Sequence, residues 1–260
     1  MIRRFGKYAL LPLAALLALS AFCAEEPSAQ EFLERARTPR AASTYGKFYG
    51  SLQHRRRGQE PEEMRIYFGV IITPRETIGR ILVNRADERI LVNRTEAYVI
   101  RQTRDPGREG TSVGRDPKDG RILDDVGLRA SDLTMSFLHY KLVKELDSST
   151  LSAVVSCRVL LLESPDDNPG GKEYVKVYLE KDHAFPLKAE FFRQPDDKRP
   201  FRLMEVNGFT KKNDLYYART ILIEGPGWRT KVEFEQKAVV IGIFDESIPR
   251  AGVLFPDALR

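Results

Sequence analysis

Apolar and polar residues alternate one by one through most of this 260-residue chain, the period of an extended strand with one buried face. Such a pattern cannot settle as a helical bundle, and it predicts an antiparallel sheet with one face wet. The alternating runs cover residues 64–72, 80–84, 89–93, 97–103, 152–163, 173–180, 187–193, 201–209, 216–224 and 230–241. Ten strands make a large sheet.

Turn chemistry separates the runs. Asp166, Asp167, Asn168, Pro169, Gly170 and Gly171 bend one connection, and Pro195, Asp196, Asp197 and Lys198 bend another. These paired aspartates keep the company of Pro, Gly and Asn, which marks them as turn formers and not as catalytic or metal-ligating carboxylates. Residues 80–85 and 89–94 both read Arg-Ile-Leu-Val-Asn-Arg, which fits two paired strands of a hairpin. Two short amphipathic helices interrupt the strands. Residues 29–37 put Phe32, Leu33 and Ala36 on one side, and residues 131–140 do the same with Leu133, Phe137 and Leu138. Residues 105–120 form a charged, glycine-rich stretch with two Asp-Pro dipeptides, and a loop is expected there.

The first 24 residues have the layout of a cleavable signal peptide. Arg3, Arg4 and Lys7 precede an apolar run of about 15 residues, short of the roughly 20 that a helix needs to cross a bilayer. No later stretch is long or apolar enough for a stable transmembrane span. Lipid anchoring at Cys23 is the less favoured reading, because Ser20 and Phe22 do not fit the pattern of a lipid-modified cysteine. The signal segment carries three of the 42 basic residues and none of the 37 acidic ones, which leaves the remainder near balance at +2. A chain so balanced gives no reason to invoke nucleic acid. Positive charge gathers in residues 35–121, densest at His54, Arg55, Arg56 and Arg57, a run that reads as a solvated loop. Without Cys23, Cys157 is alone in an apolar run and reads as a buried packing residue, so residues 25–260 fold as a single domain on their core.

Chemical signatures are weak. Gly110-Thr111-Ser112-Val113-Gly114 matches the string of a nucleophile elbow, but an elbow needs a buried strand before the serine and a helix after it. The flanks here are Asp-Pro-Gly and Asp-Pro-Lys. His54, His139 and His183 are far apart, with no ligand-like spacing, so no metal is expected. No glycine-rich phosphate loop is present, and no cofactor is expected. The conspicuous feature is apolar surface: Ile66, Phe68 and Val70 share one strand face, Val175, Val177 and Leu179 a second, and Leu187, Ala189 and Phe191 a third. A curved sheet with these faces inward either packs solid or holds an apolar ligand.

The segment from Leu128 to Tyr140, the strand through Cys157 and Leu160, Tyr174 to Leu179, Phe185-Pro186-Leu187-Lys188, Glu190-Phe191-Phe192, and the close with Thr230, Phe244, Asp245, Ile248 and Pro249 together resemble the lipoprotein-sorting family of the carriers LolA and LolB. The resemblance covers roughly residues 60–255. It implies a mainly β (α+β) fold, an unclosed antiparallel β-barrel whose concave face is covered by short helices. It also implies a non-enzymatic, monomeric carrier in the periplasm that shelters lipoprotein or lipid acyl chains. On that reading the apolar lining is Ile66, Phe68, Val70, Leu133, Phe137, Val175, Val177, Leu179 and Phe191. The alternative is an envelope sensor or interaction module that uses the same fold to bind a partner protein.

Overall fold

In a computed structural model of the protein, residues 26–37, 43–87, 92–103, 110–115, 122–151, 154–166, 168 and 171–256 are described. Residues 1–24, expected to be a signal peptide, lie outside them, Cys23 included. The chain opens with α1 (Ala29–Arg37) and continues through β1 (Thr44–Arg56), β2 (Glu62–Ile72), β3 (Glu76–Asp87), β4 (Val92–Thr103) and β5 (Gly110–Arg115). Next come α2 (Ile122–Asp125), α3 (Ala130–Leu133) and a 3-10 turn, Ser136–His139. The second half holds β6 (Lys141–Leu151), β7 (Val155–Glu163), β8 (Tyr174–Glu180), β9 (Pro186–Phe192), β10 (Arg202–Lys212), β11 (Leu215–Gly225), β12 (Trp228–Phe234), β13 (Val240–Ile243) and α4 (Arg250–Leu254).

All thirteen strands belong to one antiparallel sheet in the order β5-β4-β3-β2-β1-β12-β11-β10-β9-β8-β7-β6, and β13 continues along β1 beyond β12. The terminal strands β5 and β6 do not pair with each other, so the sheet is unclosed. It is nevertheless curled. Ile66 and Val83 from one flank and Leu160 and Val177 from the other belong to a single buried cluster, which a flat sheet of this width could not form. The fold is thus mainly β, an unclosed antiparallel barrel with short helices on its inner face, as the resemblance implied.

Strand β1 occupies the centre and was not legible as a strand. Its inward positions are Thr44, Gly46, Phe48, Gly50, Leu52 and His54, so glycine and polar residues stand where an alternating pattern would show large apolar ones. Gly50 is needed because a Cβ there would sit 2.1 Å from the Glu233 carbonyl oxygen on β12. His54 to Arg56 therefore end this strand and Arg57 opens the turn after it, where a solvated loop was expected throughout; His54 is buried and the three arginines are exposed. Edge strand β6 was missed for the opposite reason, since most of its residues on both faces are exposed. The expected strand over 230–241 is two strands, split where Glu235 closes a turn onto Ala238 and Val239.

The first of the repeated hexapeptides lies on β3 and the second reaches the described residues only from Val92, at the start of the antiparallel neighbour β4, which also takes in the strand expected separately over 97–103. Arg80 to Arg85 on β3 face Val99 to Arg94 on β4, so the two copies are not in register with one another. The charged stretch expected as a loop contains β5, hydrogen-bonded along β4 from Tyr98↔Arg115 to Thr103↔Gly110. Its flanks, 104–109 and 116–121, lie outside the described residues. Cys157 is buried, and burial together with Glu180 pushes its thiol pKa up, which makes it inert packing.

Helix α1 starts on a reciprocal cap: the Ser28 amide donates to the Glu31 carboxylate at 2.8 Å and the Glu31 amide to the Ser28 hydroxyl at 3.3 Å. Its Phe32 and Leu33 enter the core. The segment before it is clamped by Arg158 on β7, whose Nη1 donates to the Pro27 carbonyl at 2.7 Å while Nε and Nη2 grip Glu145 at 2.6 and 2.7 Å. The same guanidinium stacks 4.6 Å from the Phe32 ring. On the outer face, α4 lies across β1 and β2, with the Tyr67 hydroxyl donating to the Val253 carbonyl.

Hydrogen bonds from Arg158 hold the Glu145 carboxyl below its ordinary value of 4.5. A depressed carboxyl contributes stability above its unfolded value and loses it as pH falls through the folded one. Urea midpoints at pH 6 and pH 3 should therefore fall less in Glu145→Gln than in the wild type. Equal falls would mean the clamp contributes nothing.

Candidate functional site

The inner face of an unclosed sheet needs a cover, and residues 122–140 supply it as a roof of three short elements joined by turns. Leu123, Val126, Leu128, Leu133, Phe137 and Leu138 are all buried in the same cluster as the sheet. Burying side chains of this size contributes roughly 1.5–3 kcal/mol each. A continuous helix was expected over 131–140. The structure breaks it at Met135, which takes a left-handed conformation (φ 51°), while the Thr134 hydroxyl binds the Ser131 carbonyl at 3.1 Å and the Ser136 hydroxyl at 2.6 Å. These side chains compete with the helical ladder and end it.

Helices of four residues have no stability of their own. Polar latches hold them to the sheet. Asp132 on α3 pairs with Arg202 at the start of β10; Arg202 Nη1 donates to Oδ1 at 3.0 Å and Nη2 to Oδ2. Both side chains are almost fully buried, at 2% and 4% exposed. Asp132 Oδ2 also accepts from the Arg129 amide at 2.7 Å, and Arg202 Nη2 reaches the Gly127 carbonyl at 3.3 Å. A second pair joins Arg129 to Glu173, just before β8. Arg129 Nη1 lies 2.8 and 2.9 Å from the two oxygens of Glu173, which is 0% exposed and also accepts from the Tyr140 hydroxyl at 3.1 Å. Burial opposes the charge on Arg129, but Glu173 and Asp132 outweigh it and hold the guanidinium above its ordinary pKa. Burial and Glu173 raise the pKa of Tyr140 as well.

Two further latches come from the other half of the sheet. The Thr230 hydroxyl on β12 donates to the Val126 carbonyl and so accepts from His54 Nδ1 at 2.8 Å. His54 Nε2 then accepts from Arg56 Nε at 3.1 Å, and Arg56 Nη2 binds the Asp125 carbonyl at 2.5 Å. From α1, Arg37 donates to the carbonyls of Leu138 and Tyr140 at 2.7 and 2.9 Å.

The nine residues expected to line an apolar interior are all buried in one cluster. Ile66, Phe68 and Val70 come from β2, Val175, Val177 and Leu179 from β8, Phe191 from β9, and Leu133 and Phe137 from the roof. Phe191 is where they meet the latches. Its ring takes the edge of Phe137 at 5.6 Å, with the guanidinium carbons of Arg129 and Arg202 at 5.6 and 5.0 Å. None of the nine lines the cleft that opens beside the roof. That cleft, about 420 Å³, is bounded by Asp124, Gly127, Leu128, Arg129, Phe201, Arg202, Pro226 and Trp228. The Trp228 indole packs directly against two glycines: a Cβ on Gly127 or on Gly225 would each fall 2.4 Å from a ring atom, and Gly127 is also left-handed (φ 67°). Arg129, Arg202 and Trp228 were missed because nothing local distinguishes them from other residues at strand starts and turns.

Ser112 sits on edge strand β5 opposite Arg101. A strand continuing through Gly114 is not the strand-turn-helix that an elbow requires, and this excludes the serine string as a nucleophile. Among the described residues no three His, Cys, Asp or Glu side chains gather in a metal-holding group. No described helix is long and apolar enough to cross a membrane.

Removing Arg202 leaves buried Asp132 without its hydrogen-bonded counter-charge, so Arg202→Ala should cost about 3–5 kcal/mol in chemical denaturation, whereas the joint change Arg202→Met with Asp132→Leu should recover most of it. An additive double variant would refute the latch. Gly127→Ala should displace the indole, visible as a red shift of Trp228 emission and a loss of about 1–3 kcal/mol; unchanged emission would contradict the close packing.

No family model and no curated protein matches the chain. Solved structures do. A LolA superfamily protein from Nitrosomonas europaea is similar at TM-score 0.52 and 15% identity, with 86% of this chain and 96% of that one covered. A DUF1329 family protein from Desulfovibrio piger is similar at 0.48 and 12% identity, covering 89% and 98%. MucB, solved in complex with MucA(peri), aligns at 0.26 and 12% identity over 83% and 98%. The first of these likenesses, together with the unclosed and roofed sheet, shows that the chain has a LolA-like fold.

Proposed function

We propose that this protein is an exported, non-enzymatic carrier or binding protein of the periplasm, and that it shelters the acyl chains of lipoproteins or other lipids between sheet and roof. The observation that carries the reading is the construction of the cover. The apolar inner face is closed by short segments without stability of their own, held by a few polar latches, and not by a second sheet or a long helix. A cover of that kind lifts as a unit. Each methylene kept from water contributes about 0.8 kcal/mol, so a chain entering beneath the roof replaces the apolar contacts that the roof gives up. Ile66, Phe68, Val70, Val175, Val177, Leu179 and Phe191 are the floor of that path, and Leu133 and Phe137 its movable ceiling.

A second reading, an envelope sensor or interaction module, is favoured by one feature. Strand β6 is a long exposed edge with Val143 44% exposed, a form suited to pairing with an extended segment of a partner protein.

Solvent extraction and mass spectrometry of the protein purified from its native compartment test the first reading. Acyl-bearing lipid or lipopeptide in near-stoichiometric amount is the expected result. Extracts without lipid, combined with a protein captured from envelope extracts, would replace it with the second.

A further inference from the structure

The cleft beside the roof has a chemistry more specific than an apolar groove. Leu128, Phe201, Pro226 and Trp228 make its walls, and its 420 Å³ falls in the range of small-molecule sites. Leu128 also belongs to the buried cluster, so the cleft adjoins the inner face. Its polar element is Arg129. The bonds to Glu173 use Nη1 alone, and Nε and Nη2 have no partner among the described residues. These two nitrogens are one edge of the guanidinium fork, two parallel donors available to an oxygen.

Charge decides which oxygen. Each guanidinium at the cleft already has its own buried carboxylate, Glu173 for Arg129 and Asp132 for Arg202, and Asp124 stands exposed at the rim. The site offers donors without surplus positive charge. A carboxylate or phosphate entering it meets the field of three acids against two arginines, a net charge of −1. A neutral carbonyl takes the same hydrogen bonds and meets no such repulsion.

We propose, resting on the acyl-binding reading above, that this cleft receives the carbonyl of an esterified acyl chain, with Arg129 Nε and Nη2 donating to the carbonyl oxygen and the chain lying on Trp228 and Phe201. The site selects neutral acyl esters over free fatty acids and over anionic headgroups.

Trp228 is the only tryptophan of the chain and lies in the cleft wall, so its emission reports occupancy directly. Delipidated protein is titrated at pH 7.5 with methyl dodecanoate and with dodecanoate. The ester should bind about tenfold more tightly than the carboxylate. Arg129→Lys keeps a cation for Glu173 but has no second edge, and should bring the ratio near one, with melting temperature as the check on folding. Should that variant fail to fold, Phe201→Ala serves in its place. It touches neither ion pair, and it should weaken binding of the ester severalfold. Carboxylate binding as tightly as ester, an ester preference that survives Arg129→Lys, or ester affinity unchanged in Phe201→Ala overturns the proposal and leaves the acyl-binding reading standing. Silence of Trp228 towards both probes, while lipid is still extracted from the purified protein, does the same. Silence together with lipid-free extracts overturns both.

Discussion

A sheet that curls without closing leaves an apolar face that its own strands cannot cover, and the rest of this molecule answers that constraint. Thirteen strands bring Ile66, Val83, Leu160 and Val177 to one surface, and residues 122–140 with α1 are laid over it. The roof elements are too short to persist in water. Their conformation exists because the sheet holds it. Apolar insertion provides most of the energy, while Arg202–Asp132 and Arg129–Glu173 provide the geometry.

Buried ion pairs are an expensive way to attach a cover. Desolvating two carboxylates and two guanidiniums offsets much of the attraction, and well-packed hydrophobic residues at the same positions would serve stability as well. Ion pairs differ from such residues in direction: they accept one arrangement of the roof and reject slid or rotated ones. Both arginines also lie within 6 Å of the Phe191 ring, which places the charged latches directly against the apolar floor. The seam between roof and sheet is consequently where polar and apolar chemistry meet, and the cleft opens there.

Much of the sheet could be read from alternation because most inward positions carry large apolar side chains, as at Ile66, Phe68 and Val70 or Val175, Val177 and Leu179. The method failed where packing inverted that rule. On β1 the inward face includes Gly46 and Gly50, since backbone and neighbouring rings occupy the space. On β6 no face is buried, so no alternation is selected. The helix expected over 131–140 failed at Met135, where local hydroxyl bonding replaced the helical ladder. The site was only half legible. The apolar floor was visible residue by residue, whereas Arg129, Arg202 and Trp228 acquire their roles from partners 44, 70 and about 100 positions away in the chain.

By itself the sequence determined the class of the fold, the antiparallel alternation of most strands, and the inward faces of β2 and β8, because each depends on spacings within a single strand or turn. Tertiary structure alone decided that His54 and Arg56 serve as latches and that two arginines are neutralised beside a tryptophan cleft. The latches and the cleft are relations between distant segments, created when the curl of the sheet brings the starts of β8, β10 and β12 beneath the same short roof.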